Sequence, residues 1–371
     1  MINERRLINA FKALVKIESL SLQEKKAAAY VQKELRALGL PFTEVGKLKS
    51  GEVGSLITTL PGEKGPVILL NAHIDTVGPG KNIKPIEKKG YIYSDGSTIL
   101  GADNKAGVAA ILEILRNLKE KKIKHPPLRV VFTVAEELGL VGAKAIPAKY
   151  LKADLGLVLD GGDIDKIVNK APSQQNITAT IIGKAAHAGI HPEDGINSIK
   201  VASEAIAAMK LGRIDSETTA NIGIIQGGKA TNIIPDEVFL KGEARSHDPK
   251  KLARQVAQMK QTLVRATKKH SAKLRLEIKE AYKSFEIKKK NKIMSLVMAG
   301  MKGMGITPVI RETGGGSDAN IFNGLGIPCL ILGVGADHVH TKREQIKVAD
   351  LVRGTEMILN ILKEAVEWKR K

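Results

Sequence analysis

Residues 101–137 read GADNKAGVAAILEILRNLKEKKIKHPPLRVVFTVAEE. Within this stretch, NKAGVAAILEILRNLKEKK (104–122) carries apolar residues at helical spacing, and LRVVFTV (128–134) is a short apolar run of the kind expected for a strand buried on both faces. The rhythm continues outward on either side. PVILL (66–70) precedes it, and LGLVL (155–159) and IPCLILG (327–333) follow, each bounded by turn residues. Strands alternating with helices predict an α/β domain with a mostly parallel sheet. The first 40 residues add two amphipathic helices; Ser21 and Glu24 have capping-box spacing, and Gly39 stands where the second helix should stop.

The middle of the chain follows another order. NITATIIG (176–183), TANIGIIQG (219–227), VFLKGEARS (238–246) and AKLRLEIKEAY (272–282) read as strands, with helices at 195–210 and 248–270. This β-α-β-β-α-β succession predicts a ferredoxin-like α+β module. We therefore expect an inserted domain at 174–286 within a discontinuous larger domain formed by 1–173 and 287–371, with KSFEIKKKNK as the return linker. Beyond it come a helix at 291–303, the glycine-rich turn ETGGGSDAN (312–320) and a final helix at 348–368.

The 371 residues are 43% hydrophobic, enough for a full core and for two domains rather than disorder. A net charge of +20 invites a nucleic-acid reading, but the excess is mostly lysine spread along helical surfaces, and aromatics for base stacking are only 3%. Neither nucleic acid nor a membrane is an expected partner: no apolar run approaches a membrane span, and the N-terminus lacks a signal-peptide pattern. The single cysteine, Cys329, lies in an apolar run and reads as an inert buried thiol, consistent with a soluble, cytoplasmic protein.

Five clusters of metal-type ligands stand out: HID at 73–75, GAD at 101–103, AEE at 135–137, LD at 159–160 and HVH at 338–340. His73, Glu136, Glu137, Asp160 and His340 each follow a predicted strand, and Asp103 precedes a helix, so all should converge at the carboxyl ends of the strands. One histidine per few carboxylates is a donor set suited to zinc-like ions. Asp75 is placed to accept the second N–H of a metal-bound His73. An extended backbone at Glu136–Glu137 would direct the two side chains differently, leaving one as ligand and the other as general base.

The motifs HIDTV, GADNKAG, AEELGLVGAKA, VLDG, GKAAHAGIHPEDGINSI, GGKATNIIPDEV, GEARSHD and GGGSDANIFNGLGIP resemble the co-catalytic zinc peptidase family that includes peptidase T, carboxypeptidase G, acetylornithine deacetylase and aminoacylase, and look closest to the peptidase T-like branch. The resemblance runs nearly end to end. It implies two zinc ions per subunit, for which cobalt or manganese can substitute. Asp103 would bridge them, His73 and Asp160 would complete one shell, Glu137 and His340 the other, and Glu136 would be the general base. It further implies that His187 stabilises the oxyanion from a partner subunit's small domain, that Asn232 and Arg245 bind substrate, and that Gly314, Gly315 and Gly316 allow the substrate backbone close approach. The implied protein is a homodimer through the inserted domain, hydrolysing amide bonds of short peptides, di- or tripeptides. An N-acyl-amino-acid amidohydrolase on the same scaffold is the alternative. The chain departs from many relatives in having Asn104 after the bridging aspartate, where they have a second Asp. His125 and His270 read as surface residues, and His191, His247 and His338 as supporting ones.

Overall fold

The four apolar runs become neighbouring parallel strands. In the computed structural model, which describes residues 2–368, Leu128–Thr133, Ile68–His73, Leu155–Gly161 and Cys329–Gly333 lie side by side in that order. All six residues of Ile68–His73 and all five of Cys329–Gly333 are buried, as strands covered on both faces require. Ser55–Leu60 and Phe42–Val45 extend one side antiparallel, and Lys166–Ala171 pairs antiparallel beyond Cys329–Gly333. The helix Ala102–Glu120 packs on Ile68–His73 and is flanked by the helices Glu4–Val15 and Val348–Glu364. Its apolar residues are buried nearly all round, so it is an interior helix.

Contacts divide the chain into two units. The larger comprises 1–170, 286–313 and 317–371, and the smaller comprises 171–285 with 314–316. The smaller unit has a five-stranded antiparallel sheet in the order Gly212–Arg213, Thr218–Gly227, Glu237–Ser246, Ser173–Ile182, Lys273–Tyr282. Two helices, Ser198–Ala207 and Pro249–Lys269, pack their apolar residues Val201, Val256, Met259 and Leu263 on one face. Apart from the two-residue strand, this is the expected α+β order. The fold is thus a mostly parallel α/β catalytic-type unit with an inserted ferredoxin-like α+β unit.

Several local expectations change. The second helix is Lys25–Ala37 with Glu24 as its N-cap residue and no side-chain cap, so Ser21 and Glu24 form no capping box. The reason is competition: the Ser21 hydroxyl donates to Asp75, and the Glu24 carboxylate accepts the N–H groups of Leu22 and Ala135. Gly39 does end that helix, at a φ of +61°. His125 is buried rather than on the surface, with Nδ1 2.8 Å from the Pro126 carbonyl, and His270 is partly buried against Glu204.

Candidate metal centre

His73 is the last residue of its strand and lies opposite Thr133 of the parallel neighbour, which leads directly into Glu136 and Glu137. Asp160 sits near the end of the strand on the other side. Three adjacent strand ends therefore deliver these four side chains to one edge, as an open parallel sheet does. Asp103 arrives on the first turn of Ala102–Glu120. Gly107 lets that helix approach: a Cβ there would lie 2.3 Å from the Leu159 carbonyl oxygen, a backbone atom that cannot yield. Asp103 itself is not helical, with φ −80° and ψ 106°.

Asp103 turns one oxygen to each histidine. Oδ1 is 3.0 Å from His73 Nε2 and Oδ2 is 3.3 Å from His340 Nε2. Asp160 Oδ1 lies 3.5 Å from His73 Nε2, and Glu137 Oε1 lies 2.9 Å from His340 Nε2. The ligand-type atoms of His73, Asp103 and Asp160 fall within 4.8 Å of one another, as do those of Asp103, Glu137 and His340, and those of His73, Glu136 and Glu137. Donors bonded at about 2.0–2.2 Å to one tetrahedral ion stand roughly 3.4 Å apart, close to these separations. The residues fit two cations sharing Asp103.

The electrostatics agree. Burial opposes charge on His73, but hydrogen bonds with Asp103, Asp160 and Asp75 raise its pKa well above the usual imidazole value. Hydrogen bonds to Asp103 and Glu137 raise His340 to about 10. Burial, with Asp160, Asp318 and Glu137 as anionic neighbours, pushes Glu136 well above the ordinary carboxylate range despite the attraction of His73. The crowded carboxylates thus favour positive charge at both imidazoles, which is the role a bound cation would take.

The strand ends at Thr133, the chain bends at Val134 and takes φ 49° at Ala135, and a turn begins at Glu137. Both glutamates therefore come near His73. Buried carboxylates hold three successive amides of this segment: Glu24 accepts Ala135 N–H at 3.0 Å, and Asp75 accepts Glu136 N–H at 3.0 Å and Glu137 N–H at 3.2 Å. The acceptor nearest to His73 Nδ1 is accordingly the main-chain carbonyl of Asp75 at 3.0 Å, with its carboxylate at 3.4 Å. Asn104 donates to Asp160 Oδ1 at 3.3 Å and accepts Gly107 N–H at 3.1 Å. A second aspartate in place of Asn104 would set two anions against each other. Ser317 donates to Asp160 Oδ2 at 2.7 Å. Ser21, Glu24, Ser317, Asp318 and Glu344 also support the site, although Ser21 and Glu24 read in sequence as a helix cap and GGGSDAN as a turn and family motif without a role for Ser317 or Asp318.

The remaining expected site residues belong to the smaller unit. His187 is exposed and bridges antiparallel to Ile233, and Ala188 N–H donates to the Asn232 carbonyl, so His187 and Asn232 lie on adjoining segments. Arg245 pairs with Glu243 through Nε at 2.7 Å and Nη2 at 3.1 Å, and its Nη1 is 3.5 Å from the Gly314 carbonyl. Gly315 follows in that loop. Gly316 packs against Tyr282, where a Cβ would lie 2.3 Å from the ring. His191 is exposed, His247 partly buried, and exposed His338 stands beside Asp337. Cys329 is buried, and burial raises its thiol pKa, as an inert core thiol requires.

An α/β unit that gathers His and carboxylate side chains into neighbouring groups with Asp103 in common has the donor set of a two-metal hydrolase. The family model for peptidase family M20/M25/M40 matches residues 69–364, and the chain belongs to that family. A tripeptidase structure from Staphylococcus aureus subsp. aureus Mu50 is 40% identical, with a TM-score of 0.92 over 99% of this chain and 100% of that one. The aminopeptidase PepT structure from Bacillus cereus ATCC 10987 is 41% identical, with a TM-score of 0.85 over 99% and 100%. Peptidase T from Haemophilus influenzae (strain PittGG) is 26% identical over 92% of this chain and 91% of its own length. No helix among the described residues is long and apolar enough to cross a membrane.

Proposed function

We propose that this chain is a zinc-dependent exopeptidase of short peptides, acting on di- or tripeptides with Glu136 as general base. The carrying observation is Asp103, whose two carboxylate oxygens face His73 and His340 separately. On this reading His73, Asp103 and Asp160 hold one ion, and Asp103, Glu137 and His340 hold the other. Bound there, the pair would acidify the attacking water and polarise the scissile carbonyl. Glu136 sits next to both triads, and burial raises the proton affinity of its carboxylate, so in the ionised form it can take the proton of the water and, as the acid so formed, pass it to the leaving amine. Asp75 fixes the Glu136 and Glu137 amides and so aims both side chains.

His187 would stabilise the oxyanion, and Asn232, Arg245 and Gly315 would contact substrate. Arg245 first has to leave or share Glu243 to take a substrate carboxylate. We place the enzyme in the cytoplasm as a homodimer formed through the inserted domain 174–286. The exposed Ile224 and Ile225 on the strand Thr218–Gly227 support that interface. Similarity to a tripeptidase and an aminopeptidase favours peptides over N-acyl amino acids. Assays of unmodified di- and tripeptides beside N-acetyl amino acids test this: tripeptide hydrolysis should dominate, and faster turnover of N-acetyl amino acids would overturn it.

A further inference from the structure

Glu344 lies four residues beyond His340, and its side chain is 1% exposed. Its Oε2 accepts the N–H groups of Leu100 at 2.8 Å and Gly101 at 2.7 Å, and its Oε1 accepts that of Asp103 at 3.0 Å. Asp103 needs such a tether. Its ψ of 106° takes it out of the helix, so the regular hydrogen-bond ladder of Ala102–Glu120 does not fix it. A buried anion also suits the amides at a helix start. One carboxylate thus joins the loop that presents Asp103 to the segment that presents His340, two of the three members of one ligand triad.

We propose that Glu344 is a positioning residue that sets the metal affinity of the Asp103, Glu137 and His340 triad by holding Asp103 and His340 in one frame. It touches neither substrate nor reacting atoms. The inference rests on the two-metal reading of the site. Glu344→Gln keeps the length of the side chain but places an amide N–H₂ against N–H donors, so at least one of the three loses its acceptor.

The test uses metal-free full-length wild type, Glu344→Gln and Glu344→Asp. Each is titrated with zinc against a chromogenic chelator, and each cobalt(II) form is recorded by visible absorption. Wild type should bind two ions. Glu344→Gln should bind one of them about 10- to 100-fold more weakly, with an altered cobalt spectrum. Equal affinities and superimposable cobalt spectra in a folded variant would overturn the proposal, because a merely structural role lowers thermal stability without moving either. If Glu344→Gln does not fold, Glu344→Asp, which keeps the charge but shortens the reach, carries the same comparison. A wild type that binds no ion would remove the two-metal reading and this inference with it, whereas a loss confined to the variants supports both.

Discussion

The Asp75 carboxylate accepts the main-chain N–H of Glu136 at 3.0 Å, so the residue two positions after His73 fixes the backbone of the proposed base. Asp75 is fully buried and also receives the Ser21 hydroxyl at 2.7 Å. Asp75→Asn preserves shape but leaves one oxygen to serve three donors. Turnover should fall about 10- to 100-fold with KM little changed, because the aim of Glu136 is lost and substrate contacts are not. Steady-state kinetics on a tripeptide check this, and a change confined to KM would contradict it.

Glu136→Gln should lower kcat by roughly 10²- to 10⁴-fold, because it removes proton transfer and leaves the two ligand triads intact. Elemental analysis should still find two metal ions per chain, and chelators should abolish wild-type activity. A variant hydrolysing peptides at the normal rate would show the base to be another group.

What the sequence revealed and what it hid have different physical origins. The parallel strands were legible because burial on both faces leaves continuous apolar runs such as IPCLILG, and each ligand cluster stands just after such a run. Glu24 and Glu344 were hidden. A buried carboxylate that accepts N–H groups from distant residues has no periodicity, and in sequence Glu344 resembles any surface glutamate among Lys342, Arg343 and Gln345. Ser21 and Glu24 misled because capping-box spacing is local, while the groups that engage them, Asp75 and Ala135, are brought there by tertiary folding. His125 misled similarly, since KKIKHPP looks like a charged loop and its ring nonetheless folds inward.

Asp318 provides a pH signature. It is buried, Oδ2 accepts the Thr133 hydroxyl, and Oδ1 meets no donor among the described residues. Burial chiefly pushes its pKa from 3.8 up to about 7. A folded-state value above the unfolded one means its stabilising contribution is complete below about pH 4 and is lost as the pH rises through about 7. Asp318→Asn is neutral throughout. Its stability relative to wild type should therefore climb between pH 5 and 8 in chelator-treated protein, by at most about 3 kcal/mol, read as a rising difference in thermal midpoint. A pH-independent difference across that range would show that Asp318 is ionised throughout.

The proposed role of His187 predicts complementation between subunits. If His187 serves the neighbouring subunit's metal centre, Glu136→Gln and His187→Ala homodimers are both inactive, for different reasons. In a mixed dimer, one centre combines the intact Glu136 of one chain with the intact His187 of the other, and the second centre lacks both. Dissociating and reassociating an equimolar mixture should then regenerate roughly a quarter of all sites under random pairing. His187 is exposed in the smaller unit, and exposed Ile224 and Ile225 offer that unit an apolar surface for pairing. Activity near a quarter of wild type, with mixed dimers verified by differential tagging, is the expected result. No recovery in verified mixed dimers would place His187 in its own chain's site or outside catalysis, and a fully active species with the scattering mass of one 39.9 kDa chain would rule out the shared site before any variant is made.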